Sequence, residues 1–491
     1  LYGRGPERAK LRARIDRLGL YERVRLMGAV SPIETEWAKG AVAAVSSDME
    51  SFGMTIVEAM HCGVPVVATD CPHGPGEIIE HDANGILVPL GSGVDGYAAA
   101  LDRIMTDHGL RSRLGKAARV RAAAFAPAAV ALRYEELFRE LRGRRGGRPA
   151  RGSLWSRLRA ALPSVGAGVR QPSGTAGAAP EPVVRPLASA RARTDGTVGV
   201  RLDAASLPPG PLDFLARLRN DPKKRNIRVP VPAADPAAGA DGIRVTLDPA
   251  AQEAAEGRWD CYVVPRGATA KRARLISVLA EQSRAVGRPP AVVDGQVTAW
   301  LPYTTTDGFL ALRVWRRPAH AEVTGIVIDD DRATVTARLL GEASGADGAG
   351  LPDTASVVAV SRQGEAYDLT LPVTRLPGQD AWFSFTVPYS RAMELRSAEH
   401  DLWDLRLDLD PGSTGAPVPL GRIGGDIVDR KKTDVVPAVH LPHPERGDTR
   451  AKPFFTVTND LALSFRDLAP EHDVTPGTAE RDVTPEEEAA G

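Results

Sequence analysis

The chain changes its hydrophobic period once, and nothing else in it constrains the fold as much. From residue 1 to 142, short β-branched runs alternate with amphipathic stretches long enough for helices. From 187 to 467, apolar and polar residues alternate with period two between clusters of Pro, Gly and Asp. The first pattern predicts an α/β fold with a parallel, doubly wound, Rossmann-like sheet; the second predicts all-β, sandwich-like domains. A chain of 491 residues has room for about three domains. The expected divisions are 1–142 for the α/β part, 143–186 for a flexible linker, 187–317 and 318–467 for two β-sandwich-like domains, and 468–491 for a disordered acidic tail.

In the α/β part, the stretch from Pro6 to Leu18 places Leu11, Ile15 and Leu18 on one helical stripe. Val24 to Gly28 reads as a short strand, Pro32 to Lys39 as a helix with Pro in its first turn, and Ala41 to Ser46 as an apolar strand. A helix over Met54 to Cys62 is ended by Gly63, followed by a strand at Val64 to Ala68, a helical turn at Gly76 to His81 and a strand at Ile86 to Pro89. Three further helices are expected near 93–106, 110–124 and 127–142. The β part reads as duplicated. Trp259-Asp260 is matched by Trp403-Asp404, and Pro302-Tyr303-Thr304-Thr305-Thr306-Asp307 before Leu310-Ala311-Leu312 by Phe455-Thr456-Val457-Thr458-Asn459 before Leu461-Ala462-Leu463.

Composition excludes several functions. The 62 basic and 62 acidic residues cancel, which argues against a general nucleic-acid binder. Three cysteines without CxxC spacing give neither a disulfide framework nor a zinc site, and fit a reducing cytoplasm. No run of 18 apolar residues is long enough to span a bilayer. Within the linker, Leu154 to Leu162 is a short basic amphipathic piece. It reads first as a solvated helix end or docking segment, and second as a membrane-surface anchor at the inner face of the cell membrane.

The chemistry concentrates between Glu50 and Thr69. Glu50 falls in a loop, Gly53 opens a helix, and Glu58 lies in that helix's first turns. Free amides and the dipole at a helix N-terminus suit phosphate oxygens. A carboxylate at Glu58 can accept from both vicinal hydroxyls of a ribose. Phe52, Gly53 and Met54 offer backbone amides, and Gly53 permits close approach by a ligand. Glu50, one loop away, is the candidate catalytic carboxylate, placed to accept from hexose hydroxyls. The layout suits a sugar attached to a nucleoside diphosphate. The structural alternative is that Glu50 caps the helix and Glu58 pairs with a surface cation. His73 reads as a loop residue rather than a proton carrier, Cys62 as a small buried helix residue, and Asp329-Asp330-Asp331 as a hairpin turn rather than a calcium site.

These residues resemble a known family. Glu50-Ser51-Phe52-Gly53-Met54, Glu58-Ala59-Met60 and Gly63-Val64-Pro65-Val66-Val67-Ala68-Thr69 look like the donor-site signature of retaining family 4 glycosyltransferases of the GT-B fold. Gly3-x-Gly5-Pro6, Leu18-Gly19-Leu20, Val24-x-Leu26-x-Gly28 and Asn84 to Pro89 fit the same order. Asp70 to Ile79 resembles a bacterial subgroup tied to cell-surface polymers such as teichoic acids. The resemblance covers residues 1–142. It implies transfer of a hexose from a nucleoside diphosphate sugar, with retention, to a glycan or teichoic-acid-like acceptor, with no cofactor and no required metal. It implies that Glu58 holds the ribose, Glu50 a donor-sugar hydroxyl, Thr55 and Ile56 the vicinity of the diphosphate, and that Met27 and Gly28 border the base.

The family's phosphate-binding cations and acceptor half lie upstream of Gly3 in such enzymes. A chain that starts at Leu1 is therefore expected to be a truncated half, inactive by itself. The competing expectation is a non-catalytic polymer-binding or scaffold protein whose β-domains grip a polymer. A reading frame upstream of Leu1 that encodes a further β/α domain separates the two.

Overall fold

The computed structural model describes residues 1–144, 185–233, 242–267, 272–341, 350–411, 415–443 and 447–468. Most of the expected linker, with Leu154 to Leu162, and the acidic tail lie outside the described residues.

In the first part, β1 (Ala43–Val45), β2 (Val66–Asp70) and β3 (Ile86–Pro89) pair side by side, all parallel. Alternation along these strands dictates the layers. Val66 and Ala68 pack into one cluster with Ile56, Ala59 and Met60 of α3 (Met54–His61). Val67 and Val88 face the other way, onto Ile104 of α5 (Gly93–Thr106) and Leu114 of α6 (His108–Ala122). A strand buried on both faces must be apolar at consecutive positions, and Val66, Val67 and Ala68 are all fully buried. Gly63, at φ +76°, turns the chain out of α3, and Val64 donates back to the Ala59 carbonyl at 3.0 Å.

Two expected elements differ. Val24 to Gly28 forms only a single parallel bridge, Tyr2 to Gly28, rather than a strand. In α1 (Arg8–Arg17), Ile15 is buried but Leu11 and Leu18 are exposed, because among the described residues no hydrophobic cluster reaches over that side of the stripe. α2 (Glu34–Trp37), α4 (Pro75–Ile78) and α7 (Pro127–Arg144) complete the unit.

The β part begins as a sandwich. A four-stranded sheet and a seven-stranded sheet enclose Trp259, Phe214, Leu310 and Leu312. From Ala319 onward the arrangement departs from a sandwich. Ten strands form one sheet, and pairing of Ser356–Ser361 with His400–Asp408 closes seven of them into a barrel-like ring. Its interior holds Trp403, Phe465, Tyr389 and Phe383, all but fully buried; each contributes about 1.5–3 kcal/mol of transfer free energy. Asp329 to Asp331 make the hairpin turn expected of them. Asp329 donates its amide to the Arg332 carbonyl at 2.9 Å, and Arg332 pairs with Asp331 at 3.1 Å.

The duplication is visible atom by atom. Arg219 and Arg362 each fork onto the aspartate that follows the buried tryptophan, Asp260 at 2.6 Å and Asp404 at 2.8 Å. Thr305 N donates to Phe309 O and Thr456 N to Asp460 O, and each turn carries a left-handed residue at the same place, Gly308 and Asn459.

The second β-unit grips the α/β unit through a buried charge cluster. Asp434 accepts from Arg25 at 2.8 Å, Arg430 at 2.7 Å and Arg422 at 3.3 Å, and Arg422 also reaches Glu22 at 2.9 Å. Lys39 pairs with Asp426 at 3.0 Å, and the Ile328 amide donates to the Tyr21 hydroxyl at 2.9 Å. On the α/β side these residues precede the extended segments that lead to Gly28 and β1. Parallel strands share one N-terminal edge, so this grip lies at the edge opposite the loops that leave the strand ends.

Candidate functional site

The loops that leave β1 and β2 meet at the start of α3. Open parallel sheets bind ligands at this carboxyl edge. Thr69, near the end of β2, donates its hydroxyl to the Ser47 carbonyl and so ties the two loops together. Gly53 sits at φ +94°, buried, with the Ile56 side chain directly beneath it. That left-handed turn aims the first amides of α3 outward. No side chain caps the helix, and the Met54 and Thr55 amides meet no acceptor among the described residues. Both residues are exposed.

Glu58 follows Met54 by four residues and shares its face, while Ile56, Val57, Ala59 and Met60 turn into the core. Helical Cβ atoms tilt toward the N-terminus, so the Glu58 Cα–Cβ bond points toward the end that carries the free amides. It is half-buried and has no hydrogen-bond or ion-pair partner among the described residues. Glu50 accepts from the Ser47 hydroxyl at 2.7 Å and does not cap α3. The described residues thus show neither of the purely structural roles open to this pair.

Phe52 is half-buried, its ring edge-on to Phe125 at 5.7 Å. Arg121 covers Phe125 at 5.1 Å and donates to the Ile78 and Glu77 carbonyls at 3.0 and 2.7 Å. This stack braces the loop from α6. Ile56, expected in the vicinity of the diphosphate, stands one residue past the two free amides. Its side chain is fully buried and its amide donates to Gly53 O at 2.9 Å, so it has no free group to offer a diphosphate. The reason is the turn itself, which consumes the third amide of the helix.

Met27 and Gly28 pair with the chain's first residues. The Met27 amide donates to Leu1 O and the Gly28 carbonyl accepts from Gly3, each at 2.9 Å. No hydrogen bond joins either of them to Glu50 or Glu58 among the described residues. Gly28, at φ +80°, has open space on its Cβ side.

Residue-by-residue reading missed Gly74. It sits at φ +83°, and a Cβ there would lie 2.8 Å from Phe52 Cα and closer still to the Phe52 carbonyl. The Asp70–Gly76 loop therefore lies directly on the Phe52 backbone. The available signal was His73-Gly74 after a strand: both residues take left-handed backbones. His73 is exposed, as a loop residue would be. Cys62 is only half-buried, and burial pushes its thiol pKa up; Cys71 is buried. Among the described residues, no group of His, Cys, Asp or Glu able to hold a metal occurs, and no helix is long and apolar enough to cross a membrane.

Comparison with known proteins bears on this part of the chain. Residues 1–107 match the family model for glycosyl transferases group 1. An exopolysaccharide phosphotransferase of Streptomyces coelicolor is 38% identical over 146 residues, 30% of this chain and 15% of that protein. A D-inositol 3-phosphate glycosyltransferase of Kribbella flavida is 40% identical over 119 residues, 24% of this chain and 28% of the relative. The GtfA subunit of a UDP-N-acetylglucosamine–peptide N-acetylglucosaminyltransferase of Streptococcus gordonii is 34% identical over 92 residues, 19% and 18%. The chain spans less than a third of the length of each. Over residues 1–107, then, this chain is related in sequence to the glycosyl transferases of group 1.

Proposed function

We propose that the α/β unit is the donor-binding half of a retaining glycosyltransferase of the GT-B type, which moves a hexose from a nucleoside diphosphate sugar to a cell-envelope glycan or teichoic-acid-like polymer. The observation that carries this reading is the uncapped N-terminus of α3, where two free amides are followed on the same face by Glu58, which has no partner among the described residues. The diphosphate oxygens lie over the Met54 and Thr55 amides, where the helix dipole of roughly half a charge favours them. Glu58 accepts from the ribose hydroxyls and Glu50 from a hydroxyl of the hexose. The bond from C1 to the diphosphate oxygen breaks, and a bond from C1 to the acceptor oxygen forms on the same face as the acceptor hydroxyl passes its proton to the departing diphosphate oxygen. Charge gathering on the departing diphosphate is what the amides stabilise. The Streptococcus relative, named for a UDP-sugar, supports the choice of donor class; the Streptomyces relative, named for an exopolysaccharide, supports the choice of acceptor class. By its resemblance to cytoplasmic enzymes of this type, the reaction belongs in the cytoplasm, beside the inner face of the membrane.

The test is donor binding by the protein, by calorimetry, across a panel of UDP- and GDP-sugars. Glu58→Ala removes two charge-assisted hydrogen bonds, each about 1.5–3 kcal/mol, so affinity for the preferred donor should fall at least tenfold. Unchanged affinity would overturn the ribose role of Glu58.

A further inference from the structure

The outer face of the first β-unit carries a buried cation with no ion-pair partner among the described residues. Arg313 is 4% exposed, and its Nε and Nη2 have no hydrogen-bond partner among the described residues. The guanidinium lies over the Trp315 ring at 4.6 Å. Burial lowers its pKa, against an upward pull from Glu256. The neighbouring carboxylates are bound elsewhere. Glu256 forks onto Arg317 at 2.7 and 2.8 Å, and Asp260 takes Arg219 at 2.6 Å and Arg274 at 2.8 Å.

The residue directly across from Arg313 on the adjacent antiparallel strand is another arginine, Arg258. Like charges facing each other across two strands destabilise a sheet. The nearest carboxylate to Arg258 is Asp429, at 3.9 Å.

The duplicated unit supplies the control. Trp259 pairs with Leu312 in the first repeat as Trp403 pairs with Leu463 in the second. One step along, Arg258 and Arg313 correspond to Leu402 and Ser464. The same strand pairing is built there without either charge, so the arginine pair is not a requirement of the scaffold. The two guanidiniums line a cavity of about 360 Å³ that also meets Val457 and Thr458 of the second β-unit. A second cavity shares Arg219 and Arg258 and continues past Thr305, Thr306 and Tyr303, whose buried hydroxyl has no hydrogen-bond partner among the described residues.

We propose that this cleft binds an oxyanion, a phosphate or a carboxylate, carried on a polyhydroxylated chain such as an acidic glycan. The anion sits between Arg258 and Arg313, as guanidinium forks favour, and the Tyr303 and threonine hydroxyls take the neighbouring hydroxyls. The site is independent of the donor site at α3 and stands or falls separately from it.

The experiment is a thermal and calorimetric titration of the whole chain at constant ionic strength, with chloride as reference. The probes are inorganic phosphate, a poly(glycerol phosphate) oligomer, an oligogalacturonate and a single-stranded oligodeoxynucleotide of equal charge. Phosphate should raise Tm relative to chloride. The two polyols distinguish a phosphate-bearing from a carboxylate-bearing chain, and at least one should bind more tightly than the oligonucleotide. Arg313→Met should raise Tm in the absence of anion, since it removes an unpaired buried charge, and should weaken binding of the better polyol at least tenfold, a loss of about 1.4 kcal/mol. Arg258→Gln, at a half-exposed position, should weaken it similarly. No anion effect on the unaltered chain, undiminished binding by both variants, or a lower anion-free Tm for Arg313→Met overturns the proposal. Equal affinity for the oligonucleotide overturns the polyol carrier.

Discussion

Gly74→Ala should unfold the candidate site. The residue holds φ +83° and ψ −71°, a region closed to side chains with a Cβ, and the added methyl would be driven into the Phe52 backbone. Backbone strain of about 1–3 kcal/mol and overpacking of about 1–3 kcal/mol both fall on one short loop. The combined cost, on the order of 3 kcal/mol or more, is a large fraction of the stability of a unit of this size. Because the struck group is Phe52, the damage passes straight to the amides at Gly53 and Met54. Urea denaturation followed by a probe in the α/β unit should show an early loss, and limited proteolysis should open the chain between 50 and 80. Gly91→Ala is the control: its Cβ would meet nothing within 4 Å and its φ is ordinary, so its effect should stay within about 0.5 kcal/mol. A Gly74→Ala protein as stable as the control would show that the loop does not rest on Phe52.

Asp434→Ala should have the second largest effect, and a pH signature. Removing one carboxylate strips a partner from Arg25, Arg422 and Arg430, of which the last two are nearly buried. Breaking a buried pair by deleting one side costs about 3–5 kcal/mol, because the remaining charge stays desolvated. Burial raises the pKa of Asp434, but the guanidiniums of Arg430, Arg25 and Arg422 outweigh it, and the net displacement is downward from the ordinary value. A carboxylate with a depressed folded pKa contributes its full stability above its unfolded pKa, near 4, and loses it as pH falls through the lower folded value. Stability should therefore be flat across neutrality and drop below about pH 4. In Asp434→Ala this share of the acid dependence should vanish, and the α/β unit should melt apart from the second β-unit. A single shared transition in the variant would count against the cluster as the joint.

How far the sequence carries is set by the range of each interaction. Ile86 to Pro89 and Gly93 to Thr106 could be read directly, since apolar period and caps are local. Exposure of Leu11 and Leu18 could not, because periodicity says which side of a helix is apolar and not whether anything covers it. The ring closure of Ser356–Ser361 on His400–Asp408 joins segments far apart in sequence, and no local pattern encodes it. At the site, the left-handed opening at Gly53 follows from its residue type, but the capture of the Ile56 amide by that opening does not. Arg313 shows the sharpest gap. In Leu310-Ala311-Leu312-Arg313-Val314 it occupies a polar slot of an alternating strand, which reads as a solvated face; its burial and its facing arginine come from a strand more than fifty residues away.

The matched turns at Thr305–Gly308 and Thr456–Asn459 show how the duplication lost its symmetry. In the first copy the left-handed corner is a glycine with open space around it. In the second it is a fully buried asparagine whose carbonyl accepts from Arg422 at 2.9 Å and whose side-chain oxygen accepts from the Arg430 amide at 3.1 Å. Those two arginines hold Asp434, so the second corner supports the joint to the α/β unit, while in the first the Gly308 carbonyl accepts from the Ser277 amide at 2.9 Å, inside its own β-unit. One bend thus ties strands within a unit in one place and braces the joint between units in the other.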